Sequence, residues 1–422
     1  MNKPHFGWFL LVASLALAPA GFRMLTWRAP RHQDVDSDMA RAGQELFNHP
    51  WTAKDPLANG GDGLGPVFNA NSCVACHNQG GTGGGGDLTH NVTAFIIQHK
   101  GDEKAREGVV HLDAVDGQPK ELLSHLHPDL PQTARLDLTR LVNIPGQHCN
   151  VFRFPEGIHI SQRNTPALFG AKLIDEIPER DIIAIERKER LKWGLAPSDN
   201  EVAPVGRAHR LADGRIGRFG WKAQTPSLAE FVQNACANEL GLSNPGHPQP
   251  TSLSKPSYQQ VGMDLTLDQC NQITAFVASL PRPKEVDDGQ SAHDGKKVFA
   301  NIGCANCHTP DLGSVDGIYS DLLLHRMGQT LQGGGSYGQP PPEDPNSKPH
   351  DGPLADEWRT PPLWGVADSA PYMHDGRAKT LQEAIRFHGG QAASSAQRFA
   401  QLPVGEQVQL GAFLKSLRAP KQ

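Results

Sequence analysis

Cys73-Val74-Ala75-Cys76-His77 and Cys304-Ala305-Asn306-Cys307-His308 share the spacing Cys-x-x-Cys-His, and that spacing decides how the rest of the chain is read. Each pair of thiols can add to the two vinyl groups along one edge of a haem. The adjacent histidine then turns beneath the ring as proximal ligand of the iron. A single copy would also suit a redox dithiol or half a zinc site. Two copies in a chain that begins with an export signal point to two covalently bound haem c groups, with His77 and His308 as iron ligands.

The export signal consists of Lys3, an apolar run from Phe6 to Leu17, and the small-residue site Ala18-Pro19-Ala20. Residues 1–20 read as a cleaved signal peptide, because Pro19 breaks a run that is short for a membrane span. An uncleaved anchor is the alternative, since Phe22, Met24 and Leu25 extend the apolar character. Either reading places the body in the periplasm, where haem is attached to such chains. With 422 residues the chain can hold two or three domains, and a net charge of -5 without clustered Lys or Arg argues against nucleic acid. Glycine (44) and proline (34) are abundant while aromatics make up 6%, so much of the chain is expected to be loop. Cys149, Cys236 and Cys270 lie outside the motifs; their spacing leaves open whether they are buried thiols or include one disulfide.

Several anchors recur in the same order. Arg163-Asn164-Thr165-Pro166 is matched by Arg359-Thr360-Pro361-Pro362, and Leu168-Phe169-Gly170 by Leu363-Trp364-Gly365. Phe219-Gly220-Trp221-Lys222-Ala223 is matched by His374-Asp375-Gly376-Arg377-Ala378, each followed by Leu-x-Glu. Ala275 to Leu280 is matched by Ala412 to Leu417. Matches in register argue for an internal duplication. The last pair has helical spacing (Ile273, Phe276, Val277, Leu280; Leu410, Phe413, Leu414, Leu417), with prolines beyond each end. Opening helices are expected over Ala40–Phe47 and Gly295–Phe299. The expected architecture is mainly α: a first haem domain over 40–283, enlarged by long loop-rich insertions, and a second over 284–422. Gly80–Gly86 reads as a flexible loop near the first haem, because no Lys-Ser/Thr accompanies it as a phosphate cradle requires. Segment 338–349, with Pro340-Pro341-Pro342, reads as an exposed loop.

With these anchors in view, the chain resembles the di-haem oxidoreductase family of the bacterial di-haem cytochrome c peroxidase and MauG superfamily. The segments that carry the resemblance are Gly63-Leu64-Gly65-Pro66-Val67-Phe68-Asn69, Arg218 to Ala223, Trp358 to Gly365, and His374 to Ala378 leading to Phe387-His388-Gly389-Gly390. The resemblance implies two cytochrome c-like domains, one haem passing electrons and the other reacting with peroxide or substrate. It places His388 as second axial ligand of the second haem, with Met373 as the alternative. It implies Trp221 between the haems, although shifted by a residue, and Glu239 as a distal acid over the first haem. Arg163, Arg359 and Arg377 would serve haem propionates or the domain seam. Asn164, Thr360 and Pro362 resemble the superfamily's calcium positions.

The position matching His388 in the first half falls in Gln233-Asn234-Ala235-Cys236, which offers no strong neutral ligand besides Cys236. His90, His99, His111, His125, His127, His148, His159 and His209 all lie in the insertion and leave the sixth ligand of the first haem open. The expected function is a periplasmic di-haem c-type oxidoreductase with peroxidase-like activity. Electrons would reach the second haem from a small c-type cytochrome or another periplasmic carrier, and hydrogen peroxide or a substrate would react at the first. The competing expectations are a non-catalytic electron-transfer cytochrome and a MauG-like oxidase of a partner protein.

Overall fold

Two helix crossings repeat the same construction. In the computed structural model α1 (Ser37–Asn48) lies across α6 (Leu267–Ser279), and α7 (Gln290–Asn301) lies across α10 (Val404–Ser416). At each crossing a glycine of the opening helix meets the backbone of the closing one. A Cβ on Gly43 would overlap the Gln272 carbonyl, and one on Gly295 would overlap the Gln409 carbonyl. One turn further along, Phe47 meets Phe276 edge-on at 5.0 Å and Phe299 meets Phe413 at 5.3 Å. The helical spacing of the sequence therefore translates directly into packing: i and i+4 share a face, small residue at the crossing and ring beside it.

The structure describes residues 35–100, 106–115, 121–136, 154–194, 203–333 and 352–421. The expected signal peptide, His148, Cys149 and segment 338–349 lie outside the described residues. Among the described residues no helix is long and apolar enough to cross a membrane.

The other helices are α2 (Cys73–Cys76), α3 (Ala171–Asp175), α4 (Glu179–Trp193), α5 (Leu228–Leu240), α8 (Leu381–Phe387) and α9 (Ala393–Gln401). α5 and α8 start alike: the Ser227 hydroxyl accepts from the Glu230 amide and the Thr380 hydroxyl from the Glu383 amide. The repeated Leu-x-Glu is thus a repeated helix start. Cys236 on α5 and Cys270 on α6 are buried free thiols in one core.

The chain is mixed where the sequence suggested a mainly α fold with loops. β2 (Val92–Ile97) pairs antiparallel with β3 (Arg106–Val110) on one side and β5 (Ile158–Arg163) on the other. β-Branched Val92, Thr93, Ile96 and Ile97 suit that central position. The sheet covers its own core, including Phe95, Val110, Leu123, Leu130, Ile158 and Ile160. β1 (Val67–Phe68) pairs with β4 (Asp113–Ala114), and β6 (Leu324–Arg326) with β7 (Glu357–Arg359). β5 and β7 both end on the arginine of the repeated tetrapeptide, Arg163 opposite Val92 and Arg359 opposite Leu324. The glycine run differs from expectation as well. Gly83 donates to the His77 carbonyl at 2.9 Å, Gly86 to Thr165 at 3.1 Å, and Leu168 back to Gly83 at 2.8 Å, so the segment is a packed support.

Candidate functional site

Both motif histidines are prepared in the same way. Ser72 caps α2, and the His77 amide closes the turn onto the Cys73 carbonyl at 2.9 Å. The His77 Nδ1 donates to the Gly84 carbonyl at 3.1 Å, which leaves Nε2 as its ligand atom. In the second motif the His308 Nδ1 donates to the Tyr319 carbonyl at 3.0 Å. Each ring lies 6.3 Å from the phenylalanine of its opening helix, His77 from Phe47 and His308 from Phe299. Burial pulls both imidazoles down to about 4, against the pull of those carbonyls. A neutral ring with its far nitrogen tied to a carbonyl has the protonation state and the orientation of an iron ligand.

Opposite His308 stands His388, just past the end of α8, with its Nδ1 donating to the Ala384 carbonyl at 2.7 Å. The two ring centres are 6.4 Å apart. Imidazoles that share one metal through nitrogens about 2 Å away have centres about 6 Å apart. A cavity of about 610 Å³ opens at this pair, lined by Cys304, Cys307, His308, His388, Trp358 and Met373 among others. Thiols, paired neutral imidazoles and an apolar cavity therefore fit a haem at the second motif. Met373, the alternative ligand, lines the same cavity.

The first motif has different company. Asn69 donates from Nδ2 to the Glu239 carboxylate at 2.8 Å and from its amide to the Glu239 carbonyl at 2.7 Å. Burial pushes the Cys76 thiol up, and the Glu239 charge adds to that, which places this carboxylate beside the first motif. His111 is buried with Nδ1 on Glu121 at 3.0 Å and Nε2 on the Asn238 carbonyl at 2.9 Å, so neither nitrogen is available to an iron. His90 lies near His77 with its Nδ1 held by Asp87 at 3.0 Å, which leaves Nε2 as the ring nitrogen that could face an iron. His209 donates from Nδ1 to the Ala223 carbonyl at 2.8 Å, and His159 stands on β5.

Trp221 joins the two tetrapeptides. Its Nε1 donates to the Asn164 carbonyl at 2.8 Å, and its own carbonyl accepts from the Arg359 amide at 2.9 Å. Arg359 is buried and donates from Nε to the Gly220 carbonyl at 2.8 Å. Arg163 is buried with its guanidinium 4.5 Å over the Trp358 ring, while Arg377 is tied to Asp375 at 2.6 Å. Asn164, Thr360 and Pro362 line one cavity. The Asn164 amide donates to the Gly86 carbonyl at 3.0 Å, and the Thr360 carbonyl accepts from Ser320 Oγ at 2.7 Å and from Arg359 at 3.2 Å. A guanidinium on that oxygen works against a calcium ion there.

Sequence reasoning missed a buried polar group beside the second motif. His325 donates from Nε2 to Asp321 at 2.9 Å and from Nδ1 to the Gln391 side-chain oxygen at 3.1 Å, with Cys307 Sγ 3.6 Å from the same Nδ1. Donation from both nitrogens makes the ring a cation. Burial opposes that charge, and the pairing with Asp321 favours it. Burial and the Asp321 charge push nearby Glu189 up to about 8. The legible signal was Asp321-Leu322-Leu323-Leu324-His325, two polar residues four apart around an apolar run. Trp358 was legible only as part of a family segment. Its indole stacks on His374 at 3.7 Å and lies 3.8 Å from the buried Lys222 ammonium, a contact between residues remote in sequence.

Two Cys-x-x-Cys-His turns, each presenting a half-buried histidine held neutral, define the class: a redox protein built around two haem centres. The chain belongs to the family described as "Di-haem oxidoreductase, putative peroxidase", whose profile matches residues 146–417. No curated protein matches it. Among solved structures, the hydrazine synthase of Kuenenia stuttgartiensis is 16% identical over 99% of this chain and 100% of that one, with a TM-score of 0.42. The diheme peroxidase BthA of Burkholderia thailandensis is 15% identical over 91% of this chain and 86% of its own, at 0.41. A MauG-like protein associated with microbial copper homeostasis is 18% identical over 58% and 90%, at 0.30.

Proposed function

We propose that this chain is a periplasmic di-haem c-type oxidoreductase with peroxidase-like activity, built from haem domains over 40–283 and 284–422. The observation that carries the proposal is the difference between the two centres. His308 faces a second neutral imidazole at 6.4 Å, whereas beside the first motif stand the Glu239 carboxylate and His111, whose two ring nitrogens are both bound. Cys73, Cys76 and His77 would hold one haem, and Cys304, Cys307, His308 and His388 would hold the other. When bound, the haems would supply one-electron chemistry, with electron transfer expected at a centre closed by two imidazoles and peroxide chemistry at one left open.

The chain's own groups do the rest. Glu239, anchored by Asn69, holds and moves a proton beside the first motif, which is the help that O–O cleavage needs. Trp221 spans the seam between the tetrapeptides and offers an aromatic path between the centres. His325, donating to Asp321 beside Cys307, would help stabilise an added electron on a haem held at the second motif, because positive charge on a buried ring favours the reduced form. Calcium forms no part of the proposal, since the Thr360 carbonyl is occupied by cationic and hydroxyl donors.

A pyridine haemochrome assay on the mature protein should give two haems per chain that resist acid extraction. The reduced holoprotein should then react with hydrogen peroxide. One haem per chain, or no reaction with peroxide, would contradict the proposal.

A further inference from the structure

We infer that the outer face of α4, together with the turn of the second motif, is the docking surface for a small acidic electron carrier. The inference rests on the reading that electrons pass through the second haem. The sequence of α4, Glu186-Arg187-Lys188-Glu189-Arg190-Leu191-Lys192-Trp193, mixes signs and shows no basic cluster. The fold separates them. Glu186 and Glu189 are buried, at 3% and 6% exposure, while Arg187, Lys188, Arg190 and Lys192 all face solvent. Arg187, Lys188, Leu191 and Lys192 lie three and four residues apart, so they form one stripe along the helix.

At the centre of that stripe Leu191 is 79% exposed, the most exposed large apolar side chain among the described residues, and Trp193 follows at 37%. Cations around an exposed apolar centre are a surface suited to an acidic-rimmed partner. Its position gives it a purpose. Lys192 Nζ donates to Asn306 Oδ1 at 3.3 Å, inside the second Cys-x-x-Cys-His. Trp193, Asn306 and the exposed Arg398 all line the cavity that holds His308 and His388. On a protein whose net charge is -5, a cationic stripe at this centre selects against basic carriers and steers acidic ones.

The test follows electron exchange in stopped flow between the dithionite-reduced holoprotein and an oxidised acidic c-type cytochrome, since one surface serves either direction. Exchange should be fast at low salt, slow as salt rises, and exceed that with a basic mitochondrial-type cytochrome c. The triple variant Arg187→Glu, Lys188→Glu, Lys192→Glu should exchange at least about tenfold more slowly at low salt. Its haem spectrum and its reduction by dithionite should match the wild type, which excludes misfolding. Leu191→Ser should weaken the complex and keep the salt dependence. Exchange by the charge-reversed protein at the wild-type rate, or faster exchange with the basic cytochrome, would overturn the surface. A second haem that dithionite cannot reduce would overturn the relay reading, and the docking surface with it.

Discussion

His308 closes a single turn and His388 follows a short helix, yet backbone carbonyls fix both rings and bring their centres to 6.4 Å. If both are axial, His388→Met should raise the potential of the second haem, because thioether ligation favours the reduced iron. Met373→Leu should leave its spectrum unchanged. A sulfur-to-iron charge-transfer band in the wild type that vanishes in Met373→Leu would reverse the assignment. Glu239→Gln keeps the Asn69 contact in shape but removes the transferable proton. It should slow peroxide cleavage by about 10²–10⁴-fold with little loss of stability. An unchanged rate would reduce Glu239 to a structural partner of Asn69. The motif cysteines and histidines were legible because Cys-x-x-Cys-His is a fixed local spacing. Asp321, His325 and Glu189 were not, because Glu189 reaches the other two only through the packing of α4.

The two crossings of α1 with α6 and of α7 with α10 were legible because helical periodicity is a local property, and the glycine-phenylalanine spacing in both opening helices was there to be seen. The sheet of β2, β3 and β5 was not. Its strands are short, come from separated stretches, and stand in a region whose glycine and proline content reads as loop. That region is pinned by a buried pair: the His111 amide and Nδ1 both donate to Glu121, at 2.9 and 3.0 Å. Burial opposes both charges, yet each partner outweighs it, so His111 lies above its ordinary value and Glu121 below its own. The Glu121 contribution to stability is therefore present above its unfolded value of about 4.3 and lost as pH falls through the lower folded value. The His111 contribution is present below about 6.5 and lost as pH rises through the higher folded value. Together they stabilise most between about pH 4.5 and 6.5. Glu121→Gln should cost about 2 kcal/mol in that window and less at pH 9, read as Tm against pH. Parallel Tm profiles for variant and wild type would show that the pair is not charged in the folded protein.

At the scale of the whole molecule, two like helix frames recur and the residues filling them differ. Phe47 and Phe299 hold equivalent places against His77 and His308, as Gly43 and Gly295 do against their closing helices. The position that carries His388 after α8 has no histidine counterpart in α5, where Asn234, Cys236 and Asn238 are buried. Trp221 and Arg359 tie the halves together, because each tetrapeptide donates or accepts through the other's neighbourhood. The family resemblance was legible from sequence and is matched over residues 146–417, which include Arg218 to Ala223 and Trp358 to Gly365, the segments that meet through Trp221 and Arg359. The segregation of charge on α4 was not, because it depends on which side of one helix the glutamates are buried. Electron paramagnetic resonance of the as-isolated protein, recorded before and after addition of peroxide to the half-reduced form, tests the asymmetry most directly. The account expects one low-spin signal with bis-histidine character, lost in His388→Ala, and one high-spin signal that responds to peroxide. Two low-spin signals in every redox state, with no response to peroxide, would contradict it and leave an electron carrier.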